Sequence, residues 1–277
     1  MRANVHGDGR GARIGVDDLA GTRRLYAEKD AATGGCRPSA RALCLARRQF
    51  RVELSWQNQF DGSTGIGRAI AATDVSGYFS FGDPGNIELL VKVLDFGGGT
   101  FKVFYGELTN LKFTLTVTDT ATGRLKTYGN STGDCGGIDQ DFFSQAAFRG
   151  FGTAPDSAVL PVPSPASGSC RPGRGVLCLL DGRFAVQVDW QNPFDGSSGQ
   201  GGPAQLSNFV GTFFFTDSSN VELMTKVIPF PDRVVVFYGA LTDFKYTLSV
   251  TDTVSGRTNT YQSQPGKLCG GLDNSAF

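Results

Sequence analysis

The stretch Phe50-Arg51-Val52-Glu53-Leu54-Ser55-Trp56-Gln57 alternates without a break. Phe50, Val52, Leu54 and Trp56 share one side, and Arg51, Glu53 and Ser55 the other. Period two reads as a half-buried β-strand, because the apolar residues of a helix would recur every three or four positions. The same pattern returns as Phe184-Ala185-Val186-Gln187-Val188-Asp189-Trp190-Gln191, with Trp190 standing 134 positions after Trp56. A strand repeated at that distance points to a duplicated β-domain.

Working outward, the duplication holds along the whole unit. Cys36-Arg37-Pro38 restarts at Cys170-Arg171-Pro172, and Phe60-Asp61-Gly62-Ser63 returns as Phe194-Asp195-Gly196-Ser197. Phe104-Tyr105-Gly106 and Thr118-Asp119-Thr120 return as Phe237-Tyr238-Gly239 and Thr251-Asp252-Thr253, one position short after Phe96-Gly97-Gly98-Gly99. The offset recovers before Cys135, the counterpart of Cys269. The copies span 36–143 and 170–277, each long enough for its own core. Between them, 144–169 places Pro155, Pro161, Pro163 and Pro165 among Ala, Ser and Gly, which predicts an extended linker and two bodies that move independently.

A second alternating strand puts Leu111, Phe113, Leu115 and Val117 inward and Lys112, Thr114, Thr116 and Thr118 outward, with Phe244, Tyr246, Leu248 and Val250 as its copy. Further strands are expected at 77–81, 87–94 and 101–105, the last two apolar on both faces, as in the centre of a packed sheet. Asp83-Pro84-Gly85-Asn86, Gly97-Gly98-Gly99 and Thr120-Ala121-Thr122-Gly123 mark turns. Seven or eight short strands per copy give an all-β chain of two tandem immunoglobulin-like β-sandwich domains, with a barrel as the alternative.

Charge is balanced, with 26 basic and 26 acidic side chains, so no basic field for nucleic acid exists. No apolar run reaches the length of a membrane-spanning helix. Each copy holds three cysteines at the same spacing: Cys36, Cys44 and Cys135, then Cys170, Cys178 and Cys269. No CxxC pair occurs and His6 is the only histidine, so disulfides are favoured over zinc. The expected bonds are Cys36–Cys44 and Cys170–Cys178. The alternative joins Cys44 to Cys135, and the third thiol is otherwise free or links Cys135 to Cys269. Patterned cysteines and Gly, Ser and Thr richness suit a secreted or cell-surface protein.

One histidine, outside both copies, leaves no Ser-His-Asp or Cys-His set within either, and the chain is read as non-catalytic. Three repeated constellations remain as sites. Trp56 with Gln57, Asn58 and Asp61, and Trp190 with Asp195, bring a ring, amides and a carboxylate that suit a sugar, although Trp56 shares the parity of the core. Asp83, Asn86 and Glu88, repeated as Asp217, Asn220 and Glu222, carry oxygens for calcium, against the simpler reading of a turn capped by its aspartate. Glu88 with Lys92, and Glu222 with Lys226, stand four apart on one strand face, too far to touch, so each is expected to pair with a neighbouring strand. The outward Thr row is either a flat binding face or a solvated sheet surface. Asn130-Ser131-Thr132 matches a glycosylation sequon and is read as a polar turn.

Residues 1–30 belong to neither copy. Asp17-Asp18-Leu19-Ala20-Gly21-Thr22-Arg23-Arg24-Leu25-Tyr26 reads as a short amphipathic helix that needs a domain to pack on. This segment resembles the end of a matrixin-type zinc endopeptidase catalytic domain, whose final helix has the form D-D-x-x-G-x-x-x-L-Y. Asp17, Asp18, Gly21, Leu25 and Tyr26 match that form, and Met1 takes the place of the Met-turn methionine. The HExxHxxGxxH helix is absent, so no zinc ligand or catalytic glutamate carries over. The resemblance implies the C-terminal part of a longer secreted metalloprotease, read from an internal methionine, or a truncated gene. Either accounts for the polar, Gly-rich first 15 residues, which lack the apolar stretch of an export signal. Zinc would belong only to an upstream domain.

The copies also resemble a β-domain found in tandem at the C-terminal ends of bacterial exported proteins, with strings GRFxVxVxW and FYGxLTxxxYTLxVTDTxxG. Copy 2 carries both, from Gly182 to Trp190 and from Phe237 to Gly256, whereas copy 1 has Arg48-Gln49-Phe50 and Leu54 in the first. Together the readings imply an accessory pair that binds a protein or polysaccharide and tethers an exported protein, with a zinc endopeptidase or a structural spacer as alternatives.

Overall fold

Period-two alternation becomes strand in both copies of the computed structural model, which describes residues 35–130, 136–143, 170–263 and 270–277. The N-terminal helix, the 144–169 linker, Cys135 and Cys269 lie outside the described residues. Copy 1 contains β1 (Ala42–Leu45), β2 (Phe50–Gln57), β3 (Thr64–Ile66), β4 (Arg68–Ala71), β5 (Ser76–Ser80), β6 (Ile87–Asp95), β7 (Thr100–Glu107), β8 (Lys112–Asp119), β9 (Leu125–Gly129) and β10 (Gly136–Phe143). Copy 2 contains β11 (Leu177–Leu179), β12 (Phe184–Gln191), β13 (Ser198–Gln200), β14 (Gly202–Gln205), β15 (Val210–Phe214), β16 (Val221–Pro229), β17 (Val234–Ala240), β18 (Lys245–Asp252), β19 (Thr258–Gln262) and β20 (Gly271–Asp273).

Each copy is a sandwich of two antiparallel sheets. In copy 1 one sheet runs β1-β2-β8-β9, with β3 also on β2, and the other runs β10-β7-β6-β5-β4. Copy 2 repeats this as β11-β12-β18-β19, with β13 on β12, and β14-β15-β16-β17-β20. The sheets do not close on one another, so the barrel alternative falls away. The register shift between Phe79 and Ser80 recurs between Phe213 and Phe214.

The alternating residues fill the space between the sheets. Phe50, Val52 and Leu54 meet Leu89, Val91 and Val93 of the facing sheet in one core, and Phe184, Val186 and Val188 meet Leu223 and Val227 in the other. Trp56 and Trp190 close one end of each core, half-buried. At the other end Cys36–Cys44 and Cys170–Cys178 are disulfides that fasten the incoming chain to β1 and β11. In the β1–β2 turn Arg48 adopts a left-handed backbone, φ 64°, where copy 2 has Gly182 at 81°. The departure of copy 1 from Gly-Arg-Phe therefore puts a side chain where glycine fits without strain.

The strands apolar on both faces have a cause that a single domain would not supply. Leu90, Phe104 and Leu108 of copy 1 turn away from their own core and join Val210, Val221, Met224 and Leu241 of copy 2 in a third buried cluster. The chain from Cys36 onward is one compact unit. The independent motion expected from the linker composition gives way to two sandwiches packed sheet to sheet. The contact is reciprocal: Lys92 reaches Glu222, Lys226 reaches Glu88, and the backbones of Gly106 and Gly239 meet. Such a pattern, in which i meets j and j meets i, is that of a two-fold interface, here within one chain.

Candidate functional site

The loop after β2 is built by its own side chains. The Asn58 N–H donates to the Ser63 carbonyl (2.8 Å), and the Gly62 N–H returns to the Asn58 carbonyl (2.8 Å). Asn58 Nδ2 donates to Asp61 Oδ2 (2.9 Å), while the Ser63 N–H and hydroxyl both donate to Asp61 Oδ1 (2.8 and 2.6 Å). The Phe60 N–H donates to Asn58 Oδ1 (3.0 Å). Gly62 completes the turn at φ 77°, which favours glycine. The copy-2 loop repeats the arrangement around Asn192, Asp195 and Ser197, with Gly196 also at 77°.

The Ser63 and Ser197 hydroxyls, then their backbone N–H groups, hold Asp61 and Asp195 below the usual carboxylate range. Both oxygens of Asp61 are thereby engaged within the loop. What the loop presents is its phenylalanine: Phe60 is 74% exposed and Phe194 76%. In copy 1 Gln59 also ties the loop to the β7–β8 connection by donating to the Asn110 carbonyl (2.6 Å), whereas copy 2 has Pro193 there.

Beside this loop an open cleft of about 770 Å³ is lined by Trp56, Gln57, Thr64, Lys112, Thr114 and Asn130, among others. Trp56 stacks on Phe81 at 5.6 Å and Trp190 on Phe215 at 5.7 Å, so each indole caps its core as its parity required. Both indole N–H groups are buried without a hydrogen-bond partner. Gly65 lies against the indole of Trp56, where an added Cβ would sit 2.9 Å from Nε1, so only glycine fits beside the ring. Asn130 holds the cleft floor: its side-chain amide donates to Glu107 Oε2 and the Leu111 carbonyl, both at 2.8 Å.

The second constellation divides. Asp83 accepts from the Gly85 N–H (2.8 Å), and Asp217 accepts from the Ser219 N–H (2.9 Å), as aspartates at the head of a turn do. Their neighbours face the other copy. Lys226 Nζ donates to Asn86 Oδ1 (3.0 Å), the Ile87 carbonyl (3.0 Å) and Glu88 Oε2 (2.9 Å). Lys92 Nζ donates to Asn220 Oδ1 (2.8 Å), the Val221 carbonyl (3.1 Å) and Glu222 Oε2 (3.5 Å). Asn86 and Asn220 each donate to their own glutamate.

Each ammonium thus finds three acceptors for its three N–H bonds. Its other side lies over a ring of its own copy, Phe104 for Lys92 and Phe237 for Lys226. Burial pushes Glu88 and Glu222 up and Lys92 and Lys226 down, and the opposing partner pulls each back. The oxygens of Asn86, Glu88, Asn220 and Glu222 hold ammonium groups, and Asp83 and Asp217 stand apart from them in their turns. Among the described residues no three His, Cys, Asp or Glu side chains come together as a metal-binding group.

The sequence singles out Asn86, Glu88 and Lys92 with their counterparts but sets each charge against a neighbouring strand; instead each meets its partner on the facing sheet of the other copy. A lysine inside Leu89-Leu90-Val91-Lys92-Val93, repeated at Lys226, was the available signal. Comparison of the chain with protein-family models, with curated proteins and with solved structures finds no match.

Proposed function

We propose that this chain is a non-catalytic extracellular binding module, an accessory pair that tethers an exported protein to a polysaccharide. The observation that carries this reading is the pair of caged loops. Each spends an aspartate, an asparagine and a serine on holding one phenylalanine out in water. A rigid, exposed aromatic loses little conformational entropy on binding and presents a flat apolar face, the form that suits stacking on a sugar ring. The neighbouring cleft adds the Gln57 amide, a lysine and hydroxyls for the sugar's polar edge. The two disulfides fit an oxidising compartment.

The test is retention on insoluble polysaccharides (cellulose, chitin, xylan, peptidoglycan) by the intact chain and by F60A/F194A. Both side chains are exposed, so the double variant should keep its melting temperature within about 2 °C. It should lose retention at least about tenfold, the loss of two modest aromatic contacts of about 0.7 kcal/mol each. Retention of neither protein on any polymer, or equal retention of both, would remove the proposal.

A further inference from the structure

The two-fold contact between the copies has an axis, and the residues on it are where the copies differ. Register places Tyr78 beside Leu90 and Leu90 beside Gly106 across β5, β6 and β7. In copy 2 it places Thr212 beside Met224 and Met224 beside Gly239 across β15, β16 and β17. These are counterparts one for one, and they meet one for one. Tyr78 and Thr212 approach each other across the axis, where the Thr212 hydroxyl offsets part of the rise that burial gives the Tyr78 phenol. Leu90 and Met224 are fully buried in the shared cluster. A Cβ on Gly106 would lie 3.3 Å from the Gly239 backbone. A residue on a two-fold axis always meets its own twin.

The buried charges cannot tell the copies apart. Asn, Glu and Lys stand at matching positions in both, so copy 1 against copy 1 would offer each lysine the same kinds of acceptor as the observed pairing does. Size can. At the axis position of β5 and β15 a phenol ring, 5% exposed, faces a threonine, 2% exposed. Copy 1 against itself would set two such rings on one axis. Copy 2 against itself would set two threonines there and leave the volume of a ring empty. Both overpacking and voids are costly in a close-packed interior. One strand further out the bias has the same direction, with Ile70 beside Tyr78 and Ala204 beside Thr212.

We propose that this interface selects its partner: the charge boxes set register, and the Tyr78–Thr212 knob and hole make the β5–β7 face of copy 1 a recognition surface for copy 2 and not for a second copy 1. The test stays within the intact chain. T212Y sets knob against knob and Y78T sets hole against hole, so each reproduces a like-with-like pairing in place, while Y78T/T212Y inverts the pair. Each single change should lower Tm by about 4 to 10 °C. The inverted pair should recover at least half of the summed loss. If T212Y does not fold, recovery of folded protein in the inverted pair gives the same answer. Losses that add in the double variant, or an inverted pair that fails to fold, overturn the proposal.

Discussion

Lys226→Met removes one ammonium from the contact between the copies and leaves its three acceptors behind. Lys226 is 1% exposed, and Glu88, Asn86 and the Ile87 carbonyl accept from it at 2.9 to 3.0 Å. Each buried acceptor left unmet costs about 1 kcal/mol or more, so the buried Glu88 and Ile87 oxygens set a floor of about 2 kcal/mol, to which half-buried Asn86 adds. Breaking a buried pair from one side costs about 3 to 5 kcal/mol by a separate route. Lys92→Met should cost about 1 kcal/mol less, because its carboxylate contact, at 3.5 Å, is at the limit of a hydrogen bond.

pH gives an independent check. Burial already raises Glu88, and removing the facing lysine raises it further. A carboxyl whose folded pKa is raised contributes fully below its unfolded value, about 4.5, and loses that contribution as pH rises through the folded value. K226M should therefore be closer to wild type at pH 5 than at pH 8. Urea unfolding followed by fluorescence of Trp56 and Trp190, one in each copy, measures both effects. A loss under about 1 kcal/mol at pH 8, or a larger loss at pH 5 than at pH 8, would refute the account of the pair as buried and mutually dependent.

Three further outcomes are expected. G106A sets a methyl 3.3 Å from the Gly239 backbone and should cost about 1 to 3 kcal/mol in urea unfolding, because sheet must move against sheet. C36S/C44S opens a bond of sequence separation 8 and should cost about 2.5 kcal/mol, and mass spectrometry of the native protein should find Cys36, Cys44, Cys170 and Cys178 unalkylated until a reductant is added. The loops of Asp61 and Asp195 should keep their cages above the ordinary aspartate pKa, about 3.8, and loosen only as pH falls through the depressed folded values; NMR of the Ser63 and Ser197 amides would follow this, and loosening near pH 5 would count against the cage.

Period two was legible wherever one face of a strand meets a core, because Phe50, Val52 and Leu54 declare their side without reference to any other strand. The duplication followed from spacing; the short disulfides were one of two pairings the spacing allowed, and the structure shows Cys36–Cys44 and Cys170–Cys178. What a strand's second face meets is not local information. Leu90 and Lys92 showed that the far side of β6 is unlike a solvated surface, but apolar residues there fit a helix, another sheet or a sister copy equally well. Asp61 was visible as a carboxylate beside a tryptophan; that its oxygens turn inward to Asn58 and Ser63 depends on a turn geometry that only Gly62 hinted at.

The same second face explains why the copies come as a pair. A solitary copy 1 would turn Leu90, Phe104 and Leu108 to water together with Glu88 and Lys92, which do not reach each other. Exposing that patch would forfeit its burial, and burying it against a plain apolar partner would strand both charges. A surface satisfied only by a partner bearing an acceptor where it bears a donor, and a donor where it bears an acceptor, is satisfied most simply by its own duplicate. Once the duplicate is tethered in the same chain, divergence at a single axis position is enough to distinguish partner from self. Off the axis each change meets a different residue, but on the axis Tyr78 would have met Tyr and instead meets Thr212.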